Sequence, residues 1–134
     1  MTGWKSARNI LCVRLDAMGD VLMTTPALQA LRHSLPHCRL TLLTSASGAE
    51  AGRLAPSIEE VIVYEAPWMK SAAQRESSAP DHAMVQRLRD RHFDGAVIFT
   101  VYTQSALPAA FLCLLADIPD FWMHPDLSEH RSLS

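Results

Sequence analysis

The residues best suited by type and spacing to do chemistry are Gly19 and Asp20, in the run Arg14-Leu15-Asp16-Ala17-Met18-Gly19-Asp20. The loop Asp16–Asp20 follows directly on the apolar stretch Ile10–Leu15, so a glycine and a carboxylate sit just past the point where a buried strand runs out. A carboxylate in that place can take a proton from a substrate hydroxyl. Asp20 can equally serve only as the cap of the next helix, whose free N–H groups and dipole favour negative charge. Gly19 allows a positive φ or a close approach of backbone to ligand. The run is neither G-x-G-x-x-G nor a P-loop, so it implies no phosphate cradle.

Other constellations point less clearly to chemistry. His33 and His37 are four apart, but Pro36 lies between them and no further zinc ligands accompany them, so no metal is expected. His124 and His130 fall in a stretch without periodicity. Ser105 lacks the G-x-S-x-G setting of a nucleophile and reads as a helix cap. Trp68, Trp122 and Tyr102 suit either a sugar site or ordinary packing. The three cysteines form no C-x-x-C pair, and their odd number argues against a disulfide framework.

The elements that must position Asp20 can be read from hydrophobic periodicity. Strands are predicted at Ile10–Leu15, Arg39–Thr44, Glu60–Tyr64 and Gly95–Val101. Apolar residues from Val21 to Leu35 recur at helical spacing and stop at Pro36. That helix starts either near Asp20, bending at Pro26, or at Pro26 itself with Thr25 as cap. Further helices are predicted at Ser47–Leu54, Asp81–His92 and Ala106–Ala116, with a long loop over Ala66–Pro80. Strands alternating with helices give a Rossmann-like α/β fold, a parallel sheet covered on both faces. Ligands bind such sheets at the carboxyl ends of strands. Two segments lie there: Asp16–Asp20 after the first strand and Thr100–Ser105 after the fourth.

Composition excludes several classes. With 134 residues, 49% of them hydrophobic, the chain can bury one core and is not disordered. A formal net charge of −2 lacks the basic footprint of a nucleic-acid binder. The first 53 residues are net basic and the rest net acidic, which suits an anionic substrate, a membrane surface or ordinary solvated charge. No signal peptide is visible and the longest apolar run, Ala106–Ala116, is too short to span a bilayer, so the chain reads as cytoplasmic.

The run from Arg14 through Asp20 into Val21-Leu22-Met23-Thr24-Thr25-Pro26-Ala27-Leu28 resembles the opening motif of family 9 glycosyltransferases, the ADP-heptose:lipopolysaccharide heptosyltransferases. Phe93-Asp94-Gly95-Ala96-Val97-Ile98, Thr103-Gln104-Ser105 and Ala116–Pro119 are similar to the family as well, so the likeness spans about Ile10 to Pro119. It implies an inverting enzyme of the GT-B type, with an acceptor-side N-terminal domain and a C-terminal domain holding the nucleotide-sugar. By that resemblance Asp20 is the catalytic base, and Arg14, Gly19 and Gln104 bind substrate. The implied partners are an ADP-heptose-type donor and a lipid-linked or glycan acceptor at the inner face of the bacterial membrane, with no cofactor.

Two departures stand out. The family pattern has Ala-Gly-Ile-Pro and then a basic residue, where this chain has Ala116-Asp117-Ile118-Pro119-Asp120. Residues 120–134 carry no likeness and read as a tail, so the expectation is an acceptor-side domain over 1–119 without its donor domain. Such a chain is expected to be inactive alone. A non-catalytic binding module that keeps the fold and needs a partner is the alternative. A receiver-like domain fits less well, because the third strand ends at Tyr64-Glu65 rather than at an aspartate.

Overall fold

A computed structural model describes residues 7–16, 18–69, 76–100 and 105–125. The chain runs β1 (Asn9–Arg14), α1 (Met18–Ser34), β2 (Arg39–Thr44), α2 (Ala46–Leu54), β3 (Glu60–Val63), α3 (Ala79–Asp90), β4 (Gly95–Thr100), α4 (Leu107–Leu115) and β5 (Asp120–Pro125). The five strands form one sheet in the order β3-β2-β1-β4-β5, and every pairing is parallel. The Rossmann-like α/β fold expected from the alternating pattern is the one observed.

Parallel strands buried on both faces read as continuous apolar runs, because each alternate residue still meets a helix. In β1, Ile10 and Cys12 join Val21 and Leu28 of α1 and Ala51 of α2 in one core. Leu11 and Val13 face the other way, into a core with Met84 and Leu88 of α3 and Leu112 and Cys113 of α4. All four β1 side chains are essentially unexposed. Among the described residues no helix is long and apolar enough to cross a membrane.

α1 decides between the two starts that periodicity left open. It begins at Met18 and continues through Pro26. Proline offers no N–H to the preceding turn. The Thr24 hydroxyl donates to the Asp20 carbonyl at 2.8 Å, and that of Thr25 reaches the Val21 carbonyl at 3.4 Å, so side chains add bonds just ahead of it. Gly19 and Asp20 therefore belong to the first helical turn and not to a loop. No described glycine has a positive φ, so of the two roles read for Gly19 only the bare backbone remains.

β5 is the second difference: the start of the segment read as a tail is an edge strand paired with β4 from Gly95↔Asp120 to Thr100↔Pro125. Its apolar content is only Phe121-Trp122-Met123, too short for the buried-strand pattern, yet sufficient where one edge of the sheet ends.

The departure at Asp117 also has a structural place. Asp117 follows the end of α4 with φ 59°, the left-handed conformation in which glycine pays no steric penalty. The Asp117 N–H donates to Leu114 O and the Ile118 N–H to Cys113 O, which closes the helix. Aspartate tolerates this conformation better than most residues, and its carboxylate lies 3.0 Å from Arg89 Nε.

Candidate functional site

From β1 the chain moves outward to β2 and β3, then crosses back to β4 and on to β5. Connections leaving β1 and β4 thus diverge, and a crevice opens at the carboxyl ends of these two strands, the switch point where α/β sheets bind ligands. A shallow pocket lies there, lined by Leu15 and Asp16 after β1, Thr100 at the end of β4, Ser105 before α4, and Trp68 and Met69 after β3. The two segments singled out in the sequence are therefore brought together by the fold. Gln104, Tyr102 and His130 lie outside the described residues.

Asp20 sits in the first turn of α1, its side chain 37% exposed. The helix dipole favours its charge there. Arg14, the last residue of β1, is only 2% exposed and sends its guanidinium beneath the same turn, with Nη2 3.5 Å from Asp20 Oδ1 and 3.3 Å from Asp16 Oδ2. A buried cation between two carboxylates offsets its own desolvation and fixes both acids to the end of a rigid strand. This geometry puts Arg14 against Asp20 from within the protein, not on the surface that a ligand would approach. A Cβ on Gly19 would meet nothing within 4 Å, so the backbone beside Asp20 faces open space.

Two residues that the sequence reading did not select hold the loop before α1. Ser45 Oγ donates to the Asp16 carbonyl at 2.6 Å and accepts the Gly48 N–H at 3.1 Å, capping α2 while anchoring the loop. Gly48 lets α2 come close: a Cβ there would lie 2.2 Å from Thr44 Oγ1, 2.8 Å from Val21 Cγ2 and 3.3 Å from the Asp16 carbonyl oxygen. The only sequence signal was Ser45 ahead of a small-residue stretch, three residues before a glycine.

Trp68 is braced at the pocket rim. Its ring packs edge-on against Tyr64, with centroids 6.1 Å apart, and the Tyr64 hydroxyl donates to Asp81 Oδ1 at 2.7 Å. The indole remains 37% exposed, an aromatic face at the edge of a mostly apolar pocket to which Asp16, Thr100 and Ser105 add polar groups.

Nucleophilic cysteine chemistry has no support here. Burial pushes the Cys12 and Cys113 thiols up to about 12, and raises Cys38 as well. Ser105 Oγ accepts the Leu107 N–H at 3.1 Å, but α4 is capped by Ala106 and not by Ser105, which closes a turn one position ahead of the cap. Among the described residues no three His, Cys, Asp or Glu side chains converge as a metal site requires.

No family model matches the chain. It is 30% identical over 90 residues to a provisionally named glycosyltransferase of Haemophilus influenzae, a match covering 67% of this chain and 24% of that protein. Among solved structures, a family 9 glycosyltransferase from Veillonella parvula superposes with a TM-score of 0.68 and 19% identity, over 90% of this chain and 33% of the other. An E. coli heptosyltransferase solved with ADP gives 0.62 and 23%, over 87% of this chain and 35% of the other. The fold is thus the one found in part of family 9 glycosyltransferases, and the chain spans about a quarter to a third of the length of these relatives.

Proposed function

We propose that the chain is the acceptor-side part of an inverting glycosyltransferase that moves a sugar from a nucleotide-sugar of the ADP-heptose type to a lipopolysaccharide-core or related glycan. The observation that carries this reading is the Asp20 carboxylate at the switch point, presented by the first turn of α1 and backed by buried Arg14. In the reaction, Asp20 accepts the proton of an acceptor hydroxyl as that oxygen bonds to the anomeric carbon from the face opposite the leaving group. The bond to the nucleoside diphosphate breaks with its electron pair, and the configuration inverts. Arg14 holds the carboxylate in position, Gly19 gives the acceptor access to the backbone, and Gln104 completes the acceptor side.

The solved relative with ADP supports a nucleotide donor in general terms. The reading assigns that nucleotide to the portion of such enzymes that this chain does not span, so the chain alone is proposed to turn over no ADP-heptose. A lipid-linked acceptor would bring it to the inner face of the cell membrane.

The test is a titration of the isotopically labelled chain with a delipidated lipopolysaccharide-core oligosaccharide, followed by amide chemical shifts. The reading expects shifts confined to residues 15–20, Trp68 and the segment after β4. Shifts centred elsewhere, or none at millimolar ligand, overturn it. Once the chain is assembled with a donor-binding half, Asp20→Asn is expected to lower turnover by about a hundredfold or more while leaving the fold intact.

A further inference from the structure

Arg14 serves two carboxylates with one nitrogen. In β1 the alternate residues Ile10 and Cys12 face the core beneath α1 and α2, so the two-residue period of a strand sends Arg14 out on that same side. There its Nη2 lies 3.3 Å from Asp16 Oδ2 and 3.5 Å from Asp20 Oδ1. The two acids are not placed alike. The Asp16 side chain is 9% exposed and lines the crevice pocket from within, whereas that of Asp20 is 37% exposed on the first turn of α1.

Two carboxylates and one guanidinium leave a surplus of one negative charge. Asp16 is the nearer and the more buried acid, so solvent screens its attraction to Arg14 least and it takes the larger share of the positive charge. The surplus falls to Asp20, which meets solvent. Without Asp16 the whole guanidinium charge would face Asp20. An opposite charge within about 4–6 Å favours the ionised carboxylate and so weakens it as a proton acceptor. The other charged groups of the packed elements lie apart from this arrangement. On α1 they are Arg32 and His33, in its last turn. α2, packed against α1, carries Glu50 and Arg53, both exposed. Glu65 accepts the Ala46 N–H at the start of α2, and β4 contains no charged residue.

We propose that Asp16 is a positioning residue acting through Arg14: it takes up part of the guanidinium charge, so that Arg14 fixes Asp20 in place while Asp20 keeps its capacity to accept a proton. This role rests on the reading of Asp20 as the base. The charge sharing itself is measured with neither donor nor acceptor present, so its failure is distinct from a failure to bind the core oligosaccharide.

The experiment follows the Asp20 carboxyl carbon and the Arg14 guanidinium nitrogens by NMR against pH in the labelled 134-residue chain. In Asp16→Asn the pH at which the Asp20 signal is half-changed should fall by about 0.5–1 unit relative to the parent. Asparagine has nearly the shape of aspartate, and the bond from Ser45 to the Asp16 carbonyl is kept, so circular dichroism should show a folded variant. Asp16→Glu, which retains the charge, should restore the parent value, a rescue that a role in packing alone would not give. Loss of any nearby negative charge would also lower the Asp20 value, and the Arg14 signal separates the two causes. A shared guanidinium shows two inflections against pH in the parent, of which Asp16→Asn removes one and Asp20→Asn the other. An Asp20 signal that Asp16→Asn leaves unmoved or shifts to higher pH overturns the inference. So does an Arg14 signal with a single inflection in the parent, which decides the matter without any variant.

Discussion

Replacing Gly48 by alanine tests whether α2 really closes on the loop that leads into the helix carrying the candidate base. The new methyl group would lie 2.2 Å from Thr44 Oγ1 and 2.8 Å from Val21 Cγ2, with the Asp16 carbonyl oxygen at 3.3 Å behind them. Thr44 is fully buried and β-branched, so its hydroxyl cannot swing aside freely. Overpacking of this kind costs about 1–3 kcal/mol. Alanine returns up to about 1 kcal/mol through its better helix propensity. The net expectation is a loss of about 1–2 kcal/mol. With a urea dependence of about 2 kcal/mol per molar, the unfolding midpoint should fall by roughly 0.5–1 M. Gly19→Ala is the control, since its methyl group enters open space on the same pair of elements. It should raise stability by about 0.5–1 kcal/mol while crowding the ligand side of Asp20. Urea melts of the three proteins at one concentration decide the matter. If Gly48→Ala melts at or above the parent, the close approach of α2 to the Asp16 loop is wrong.

Two further outcomes concern stability away from the crevice. Glu60 accepts a bidentate pair of hydrogen bonds from Arg91 and a further one from Arg39, which hold its carboxyl down to about 2 from an ordinary 4.5. A depressed carboxylate stabilises the fold fully above its unfolded pKa and loses that contribution as pH falls towards the folded one. At about 1.4 kcal/mol per unit the shift corresponds to about 3 kcal/mol, and solvent screening at a side chain 29% exposed reduces this to about 1–2. Glu60→Gln should therefore be less stable than the parent by that amount at pH 7, with the gap closing between pH 4.5 and 2; a constant gap in urea melts across that range would refute the assignment. At the end of α4, Asp117→Gly should be about 1 kcal/mol more stable than Asp117→Ala, because only glycine takes φ 59° without strain. Equal thermal midpoints for the two variants would show that the left-handed turn is not held.

The sequence made the alternation of strands and helices readable because each buried strand is a continuous apolar run and each helix has its own period. From that alternation the crevice followed by topology, and with it the segment Asp16–Asp20 and the segment after β4. What escaped depends on neighbours distant in sequence. Ser45 bonds to Asp16, 29 positions away, and nothing local marks that contact. Gly48 is required by Thr44 and Val21 rather than by its own turn. Pro26 reads as a helix boundary, and only the packed helix shows it tolerated. β5 escaped because an edge strand can form on three apolar residues when a neighbour supplies half of its hydrogen bonds. Asp117 was visible as a departure from a family pattern, but its meaning lay in a backbone angle.

The buried Arg14 has a consequence for how such a site can diversify. The carboxylate that would move the proton is tied to the end of a central strand and the first turn of a packed helix. The surface that would meet the ligand is drawn instead largely from Trp68, Met69 and Ser105, on connections at the rim, with Thr100 at the end of β4. Reaction and recognition are thus written in separate parts of the chain. The rim can be lengthened, shortened or resurfaced without displacing the acid, and one fixed proton acceptor can serve acceptors of many shapes.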